Sequence, residues 1–260
     1  MKKLIFILLL FVSVHAFSQS EFNRLGFGLN VGGTTAYTGL TFGLSELPGL
    51  TGFNAKKTLT SNKSKVLGGS LDYYFTPFIY GGVGYNMVQL KDGPDKHNRA
   101  FISDFTSIEI RGNVSAGQFI DYSYSPFLYA IRNANVGLGI GFISGKNNVA
   151  DFPPGTDAST PTSPTVPFPR RTHAGDLGKS KFSGVIALPI SIGYNLNIYN
   201  AYQEVKFVVG FQYKMVFTTS DDLDGFADDP NIFQNNAKDA YTTMGVSLKY
   251  IFGPKSLYFK

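Results

Sequence analysis

Residues 205–217, VKFVVGFQYKMVF, alternate between large apolar side chains and a mixed set that contains lysine and glutamine. Successive side chains of a β-strand point to opposite faces, so this segment has one apolar, aromatic-rich face and one mixed polar face. The same period recurs over residues 25–32, 67–75, 79–87, 108–116, 136–142, 182–194 and 243–250. About eight such segments are the pattern of a transmembrane barrel. We therefore predict an all-β fold: a membrane-spanning, antiparallel up-and-down β-barrel of about eight strands.

The second face of these segments distinguishes a membrane barrel from a soluble β-sandwich, whose strands also alternate. Its positions are mostly Gly, Ser and Asn, as at Gly137, Gly139 and Gly141, with a few charges. Small residues suit the crowded interior of a narrow barrel better than a solvated surface. A soluble sandwich or a secreted barrel is the alternative. Aromatic residues near the predicted strand ends would form interfacial girdles: Tyr73, Phe75, Phe182, Tyr194, Phe217 and Tyr250.

The first residues have the pattern of a secretory signal. Lys2 and Lys3 precede an apolar run from Leu4 to Val12, and Ala16-Phe17-Ser18 provides small residues where a signal peptidase would cleave. The run is too short to span a bilayer as a helix. We predict a signal peptide over residues 1–18 and one barrel domain over residues 19–260.

Composition restricts the compartment and the partners. Without Lys2 and Lys3 the net charge falls from +5 to about +3, which is too weak and too dispersed to indicate nucleic-acid binding. The chain has no cysteine, which excludes a disulfide framework and thiolate metal ligation. Stability must come from burial and a closed hydrogen-bond network.

The predicted connections alternate between long and short. Long ones cover about residues 33–65, 90–103, 146–180 and 218–239, whereas Thr76-Pro77 and residues 195–204 are short. Outer-membrane barrels pair short periplasmic turns with long outer loops. The connection over residues 121–134 is longer than this rule expects, and we predict a short helix or a plug there.

Several stretches resemble one family. GGTTAYTGL, LDYYFTPF, FTSIEIRGNVSAGQFIDYSYSPFL and DDLDGF are similar to OmpA-type outer-membrane β-barrels. The resemblance implies the outer membrane of a Gram-negative bacterium, contact with outer-membrane lipid and lipopolysaccharide, and the barrel-assembly machinery as a partner. The chain stops soon after Gly253, so the family's peptidoglycan-binding domain, and anchoring to the cell wall, are not expected.

The last predicted strand carries a further family-level pattern. Residues 243–250, TMGVSLKY, are similar to the terminal-strand signal that the assembly machinery reads, with Gly245, Leu248 and Tyr250 at its defining positions. Leu248 and Tyr250 would face lipid. The alternative is an ordinary alternating strand, since the chain continues through GPKSLYFK.

The alternation also places charged side chains in the lumen. Charges excluded from water need partners, so we predict an internal salt-bridge network that fills the barrel rather than lining a wide pore. The alternative is that several lie at the rims and are solvated. The residues are Asp72, Glu109, Arg111, Lys206, Lys214 and Lys249.

Catalytic and metal signals are weak. Lipid-modifying barrel enzymes need a histidine to activate a serine or water, and only His97 and His173 follow the leader. Ser103 with Asp104, or Asp176 with Ser180, are the nearest candidate groups, but no catalytic signature surrounds either histidine, so we predict no enzyme and no cofactor.

The acidic stretch SDDLDGFADDP resembles half of a calcium loop, with Asp222, Asp224 and Asp228 as candidate ligands. It lacks the closing glutamate of an EF-hand.

Two functional hypotheses remain. The first is a structural or surface-interaction protein of the envelope, whose outer loops contact lipopolysaccharide or a protein partner. The second is an accessory subunit of an outer-membrane secretion or transport assembly. A small channel or a lipid-modifying enzyme is less favoured, because an eight-stranded barrel leaves no generous channel.

Overall fold

The alternating segments fold into eight β-strands. The computed structural model describes residues 19–37, 64–92, 101–122, 125–149, 181–225 and 238–259. The strands are β1 (Gln19–Tyr37), β2 (Lys65–Tyr74), β3 (Ile79–Asp92), β4 (Phe101–Ser115), β5 (Ala134–Val149), β6 (Lys181–Tyr199), β7 (Val205–Thr218) and β8 (Ala240–Phe259). The predicted signal peptide lies outside the described residues.

The sheet closes on itself. Each strand pairs antiparallel with its neighbour in sequence, and β8 returns to pair with β1, from Gln19 opposite Phe259 to Tyr37 opposite Ala240. Closure gives every strand two partners and leaves no free sheet edge, which hydrocarbon would penalise by several kcal/mol for each unpaired backbone group. The prediction of an antiparallel up-and-down barrel of eight strands is confirmed.

The barrel has two unlike ends. At one, which we call the turn end, β2 and β3 are joined by Phe75–Phe78 and β6 and β7 by Asn200–Glu204. The described beginning of β1 and end of β8 also lie there. At the opposite end, the loop end, β1 ends and β2 begins, β3 ends and β4 begins, β5 ends and β6 begins, and β7 ends and β8 begins.

A short helix lies at the turn end between β4 and β5. A 3-10 turn, Ala116–Gln118, follows β4, and helix α1 covers Pro126–Ile131. Pro126 occupies the first helical turn and Ser125 caps the helix, since its Oγ accepts from the Leu128 amide at 3.5 Å. The predicted short helix in this connection is therefore present. Within the described ranges, no helix has both the length and the apolar character that crossing a bilayer requires.

The exterior carries the large apolar side chains. Leu71 is 62% exposed, whereas its neighbours Ser70 and Asp72 are 7% and 2% exposed and point into the barrel. The same division holds on every strand. Exposed apolar residues include Phe27, Leu29, Val31, Leu67, Val83, Met87, Ile108, Ile110, Leu138, Ile140, Leu188, Ile190, Phe207, Phe211, Val246 and Leu248. This apolar band is the inverse of a soluble protein's surface.

The lumen is packed in three layers. At the loop end, apolar side chains such as Leu90, Phe105 and Tyr241 form a core in which Phe105 and Tyr241 meet edge to face at 5.4 Å. Charged and amide side chains occupy the middle. Toward the turn end, Tyr74 and Tyr80 stack at 5.0 Å. Sequence reasoning predicted a polar interior and missed the apolar layer.

The structure corrects the predicted orientation of Phe182. As an interfacial aromatic residue it would face lipid, but it is 5% exposed and packs inside on Phe105. The register between β5 and β6 shifts between Ile143 and Gly145, and Gly184 on β6 has a φ of +70°. A bulge of this kind adds one residue to the strand, so positions before it and after it alternate out of step. Simple alternation therefore assigns Phe182, which precedes the bulge, to the wrong face.

The strands are also longer than predicted. β3 reaches Asp92, β4 begins at Phe101 and β5 reaches Val149, because pairing continues beyond the apolar band. β8 does not end near Tyr250 but runs to Phe259 and includes most of GPKSLYFK. The β1–β8 register shifts between Asn23 and Leu25, opposite Gly253 and Pro254. Gly253 has a φ of +94°, and strand pairing continues on the other side of Pro254.

Candidate functional site

The middle layer of the lumen contains a three-residue ion cluster around Asp72. One carboxylate oxygen of Asp72, on β2, lies 3.3 Å from Nη2 of Arg111 on β4, and the other lies 2.7 Å from Nζ of Lys249 on β8. The same Nζ lies 4.5 Å from the centre of the Tyr80 ring, a cation–π contact. Side chains from β4 and β8 therefore contact the carboxylate of one residue on β2, Asp72.

A second ion pair lies beside the first. Nζ of Lys214, on β7, donates to both carboxylate oxygens of Glu109, on β4, at 2.8 and 2.9 Å. Ser107 donates to the same carboxylate at 2.9 Å. Glu109 and Lys214 are almost completely buried, so removing one charge would leave the other buried without a countercharge and would destabilise the fold. Glu109 and Arg111 are two residues apart on the same face of β4, so the two clusters are adjacent.

Glycines on neighbouring strands make room for these side chains. Asp72 lies opposite Gly26 and Gly82, and Lys249 lies opposite Gly28. A Cβ on Gly82 would lie 2.3 Å from the Asp72 carboxylate, and one on Gly28 would lie 2.8 Å from the Lys249 side chain. The alternation of glycine and charge in the sequence is therefore a packing requirement of the lumen.

Little space is left around the ions. The central cavity has a volume of about 20 Å³ and is lined by Asn30, Arg111, Asn113 and Lys249, among others. That is room for about one water molecule. With the apolar layer on one side and the stacked tyrosines on the other, the described part of the lumen is a packed interior rather than a pore.

Five of the six predicted lumen residues therefore come together, and Lys206 does not. Its Nζ lies 3.6 Å from Glu204 at the turn end, and its side chain is 31% exposed. Glu204 also pairs with Lys255 of β8, and these contacts hold the pKa of its carboxyl below the ordinary value. Sequence reasoning missed Glu204; its position one residue before β7 is the only signal that could have indicated it.

The proposed assembly motif occupies the middle of β8. Leu248 and Tyr250 face outward, 54% and 46% exposed, and Gly245 lies opposite Gly32 of β1. The strand continues nine residues past Tyr250, so these residues lie in the middle of the last strand. Its role in assembly stays a prediction.

Acidic residues lie close together at the loop end near the start of β8, where Asp224 and Asp239 are buried and Asp222 is half-buried. The backbone carbonyl of Asp222 accepts from Asn147, and its carboxylate accepts from Ser220 at 2.6 Å. Asp239, 1% exposed, accepts from the Leu223 amide at 2.8 Å. Burial, together with nearby Asp224, raises the pKa of Asp239 well above its ordinary value.

The candidate calcium ligands are only partly covered by the structure. Asp222 and Asp224 are described, and Asp228 lies outside the described residues. Where the structure describes the chain, no group of three or more His, Asp or Glu side chains is arranged to hold a metal ion. The calcium site stays a sequence prediction.

The structure also separates one candidate catalytic pair. Ser103 is fully buried in the lumen, whereas Asp104 points outward and accepts from Gln89 at 2.6 Å. Neighbours on a strand face opposite ways, so these two side chains cannot act together. His97, His173, Asp176 and Ser180 lie outside the described residues.

An eight-stranded closed barrel with an apolar exterior and charges in its lumen is the architecture of the transmembrane barrels of bacterial outer membranes. This chain has that architecture.

Comparison with solved structures finds chains that are similar to this one at low sequence identity. Neisserial surface protein A (NspA) matches with a TM-score of 0.45 and 11% identity, covering 90% of this chain and 99% of NspA. Ail of Yersinia pestis, the attachment invasion locus protein, matches with a TM-score of 0.42 and 10% identity, covering 89% and 99%. CarO of Acinetobacter baumannii gives 0.38 and 12%, covering 86% and 97%. Proteins this far apart in sequence need share no ligand or partner.

No protein-family model matches the chain. No curated protein matches it either.

Proposed function

We propose that this protein is an integral outer-membrane β-barrel of a Gram-negative bacterium with a structural or surface-interaction role, and not an enzyme. The observation that carries the proposal is the inversion of polarity: apolar side chains cover the exterior, and ion pairs are buried in the lumen. Such an exterior is compatible with acyl chains and not with water. The turn end then faces the periplasm and the loop end faces outward.

The packed lumen argues against a channel. A conducting pore needs a continuous water-filled path, whereas the central cavity here, at about 20 Å³, has room for about one water molecule. The loop end, projecting beyond the apolar band on extended strands, is the part available to lipopolysaccharide and to other surfaces. A role carried by the outer surface therefore fits the structure better than transport through the barrel.

The test uses the full chain refolded in detergent and in lipid vesicles. Unboiled and boiled samples should migrate differently on a gel, because a closed barrel resists denaturant until it is heated. The vesicle-inserted protein should resist carbonate extraction and should give no steady conductance in a planar bilayer. A chain that stays folded, monomeric and soluble without detergent would contradict the proposal.

A second candidate, an accessory subunit of a secretion or transport assembly, is favoured by one observation. Aromatic side chains are exposed at the turn end, beyond the strands: Phe119 and Phe127 are 77% and 68% exposed, and Tyr202 is 84% exposed. Exposed aromatic groups are enriched at protein interfaces. An envelope protein partner docked on the periplasmic side would cover them.

Co-purification from gently solubilised membranes distinguishes the two candidates. A stoichiometric partner that is lost on Phe127→Ala and retained on Phe207→Ala, a change on the exterior of β7, would support the accessory role. A barrel that purifies alone in both cases supports the first proposal. The barrel-assembly machinery is expected to bind only during biogenesis, whichever role holds.

A further inference from the structure

A row of polar side chains crosses the barrel exterior at the loop-end edge of the apolar band. Lys65 on β2 lies opposite Gln89 on β3, which lies opposite Asp104 on β4. The row continues to Lys146 on β5 and Lys181 on β6. All five side chains point outward, because their neighbours on each strand, among them Val66 and Phe182, are buried in the lumen.

Two of these lysines form an unfavourable pair. Lys146 and Lys181 are directly opposite one another on adjacent strands, where Cβ atoms are about 4.5–5.5 Å apart and like charges destabilise the sheet. On its other side Lys146 lies opposite Asp104, whose carboxylate accepts from Gln89 at 2.6 Å. In the part of the chain that the structure describes, no carboxylate oxygen lies within 4.0 Å of the ammonium group of Lys65, Lys146 or Lys181. An anion placed between Lys146 and Lys181 would remove the repulsion.

The row borders a groove whose floor is apolar. An open groove of about 690 Å³ is lined by Lys65, Lys146 and Lys181 on its polar side, and by Leu67 and Met87 one step nearer the middle of the barrel. Leu67 and Met87 are more than half exposed and lie opposite each other. The groove therefore joins cationic groups at the level of a membrane interface to apolar surface at the level of acyl chains.

We propose that this groove is a binding site for a phosphorylated glycolipid of the outer leaflet, which in this membrane is lipopolysaccharide. A lipid phosphate lies between Lys146 and Lys181, and an acyl chain lies along Leu67 and Met87. The row carries three ammonium groups and one carboxylate, so the charge is complementary to a phosphate. The proposal rests on the proposed function, since it requires the loop end to face outward in the outer membrane.

The experiment measures lipid binding to the full chain folded in detergent micelles, by native mass spectrometry. The probes are bisphosphorylated lipid A, the same lipid after dephosphorylation, and inorganic phosphate. The variants are Lys181→Gln, the double variant Lys146→Gln/Lys181→Gln, and the control Lys238→Gln, which removes one exposed lysine at the same end of the barrel.

We expect lipid A to bind the native chain, with about tenfold weaker binding for Lys181→Gln and a larger loss for the double variant, as expected for charge-assisted contacts. Dephosphorylated lipid A should bind the native chain about as weakly as lipid A binds the double variant. Lys238→Gln should behave like the native chain.

Three results would overturn the site: equal binding of the two lipids, unchanged lipid A binding by the double variant, or inorganic phosphate binding as tightly as the lipid. These are separable from a failure of the proposed function. Heat-modifiable migration and insertion into vesicles of phosphatidylcholine, which carries no net charge, report on the barrel alone. A chain that passes those tests and fails the lipid test loses the binding site and keeps its fold and location.

Discussion

Glu109 and Lys214 are 105 positions apart in the chain, and their side chains meet in the lumen at 2.8 Å. They lie on strands that are not neighbours in the sheet, so the contact spans the barrel rather than following one ladder. This ion pair therefore holds β4 and β7 together across the lumen without a covalent bond. It also makes the barrel sensitive to the loss of either charge.

Glu109→Gln should destabilise the barrel by about 3–5 kcal/mol, because Lys214 is left buried without a countercharge. Urea unfolding in lipid vesicles measures the change. The double variant Glu109→Leu/Lys214→Met should recover most of the loss, since well-packed apolar residues can replace a buried ion pair. A Glu109→Gln barrel as resistant to urea as the native chain would show that the pair does not stabilise the fold.

Gly82→Ala should destabilise the barrel by about 1–3 kcal/mol, the range for overpacking. The added methyl would lie 2.3 Å from both the Asp72 carboxylate and the Leu71 carbonyl, so backbone must move. Gly112→Ala on the neighbouring strand β4 is the matched control, because a Cβ there meets nothing within 4 Å. Equal urea midpoints for the two variants would contradict the packing role of Gly82.

Cysteine substitution tests which face touches lipid, and the natural chain has no cysteine to interfere. In vesicles, Leu71→Cys should react with a lipid-soluble maleimide, because residue 71 points outward. Ser70→Cys should react only after unfolding, since residue 70 points into the packed lumen. Reaction at both positions at the same rate in the folded protein would place the apolar face somewhere other than in the bilayer.

Asp239→Asn should stabilise the folded protein at neutral pH. The pKa of Asp239 is raised by burial and by neighbouring aspartates, so the folded state holds this proton more tightly than the unfolded chain does. The contribution of Asp239 to stability should therefore be greatest below pH 3.8, the ordinary pKa of an aspartate. It should fall as the pH rises through the higher pKa of Asp239 in the folded state.

The amide of the Asp239→Asn variant removes that dependence while still accepting from the Leu223 amide. Thermal unfolding between pH 4 and pH 7 measures the effect, and Asp222→Asn, in the same region, is the comparison. A variant whose pH profile matches the native one would show that Asp239 does not titrate in this way.

How much of the structure follows from sequence is clearest in the middle of the strands. Alternation predicts that Leu71 and Asp72, like Ile110 and Arg111, face opposite ways, and the barrel places them so. Prediction failed where the period changes. Phe182 precedes a bulge, and Lys206 has the inward parity but sits at the rim beside Glu204.

The sequence by itself determined the barrel, its number of strands and the sorting of apolar and polar faces, because a two-residue period follows directly from strand geometry. Only the tertiary structure decided which charges meet. Asp72 contacts Arg111 and Lys249, and Glu109 contacts Lys214, through closure and register that bring distant strands to the same height. Whether a residue is at an odd or an even position along its strand determines the face that its side chain occupies. Its partner across the lumen depends on the stagger between strands when the whole sheet closes.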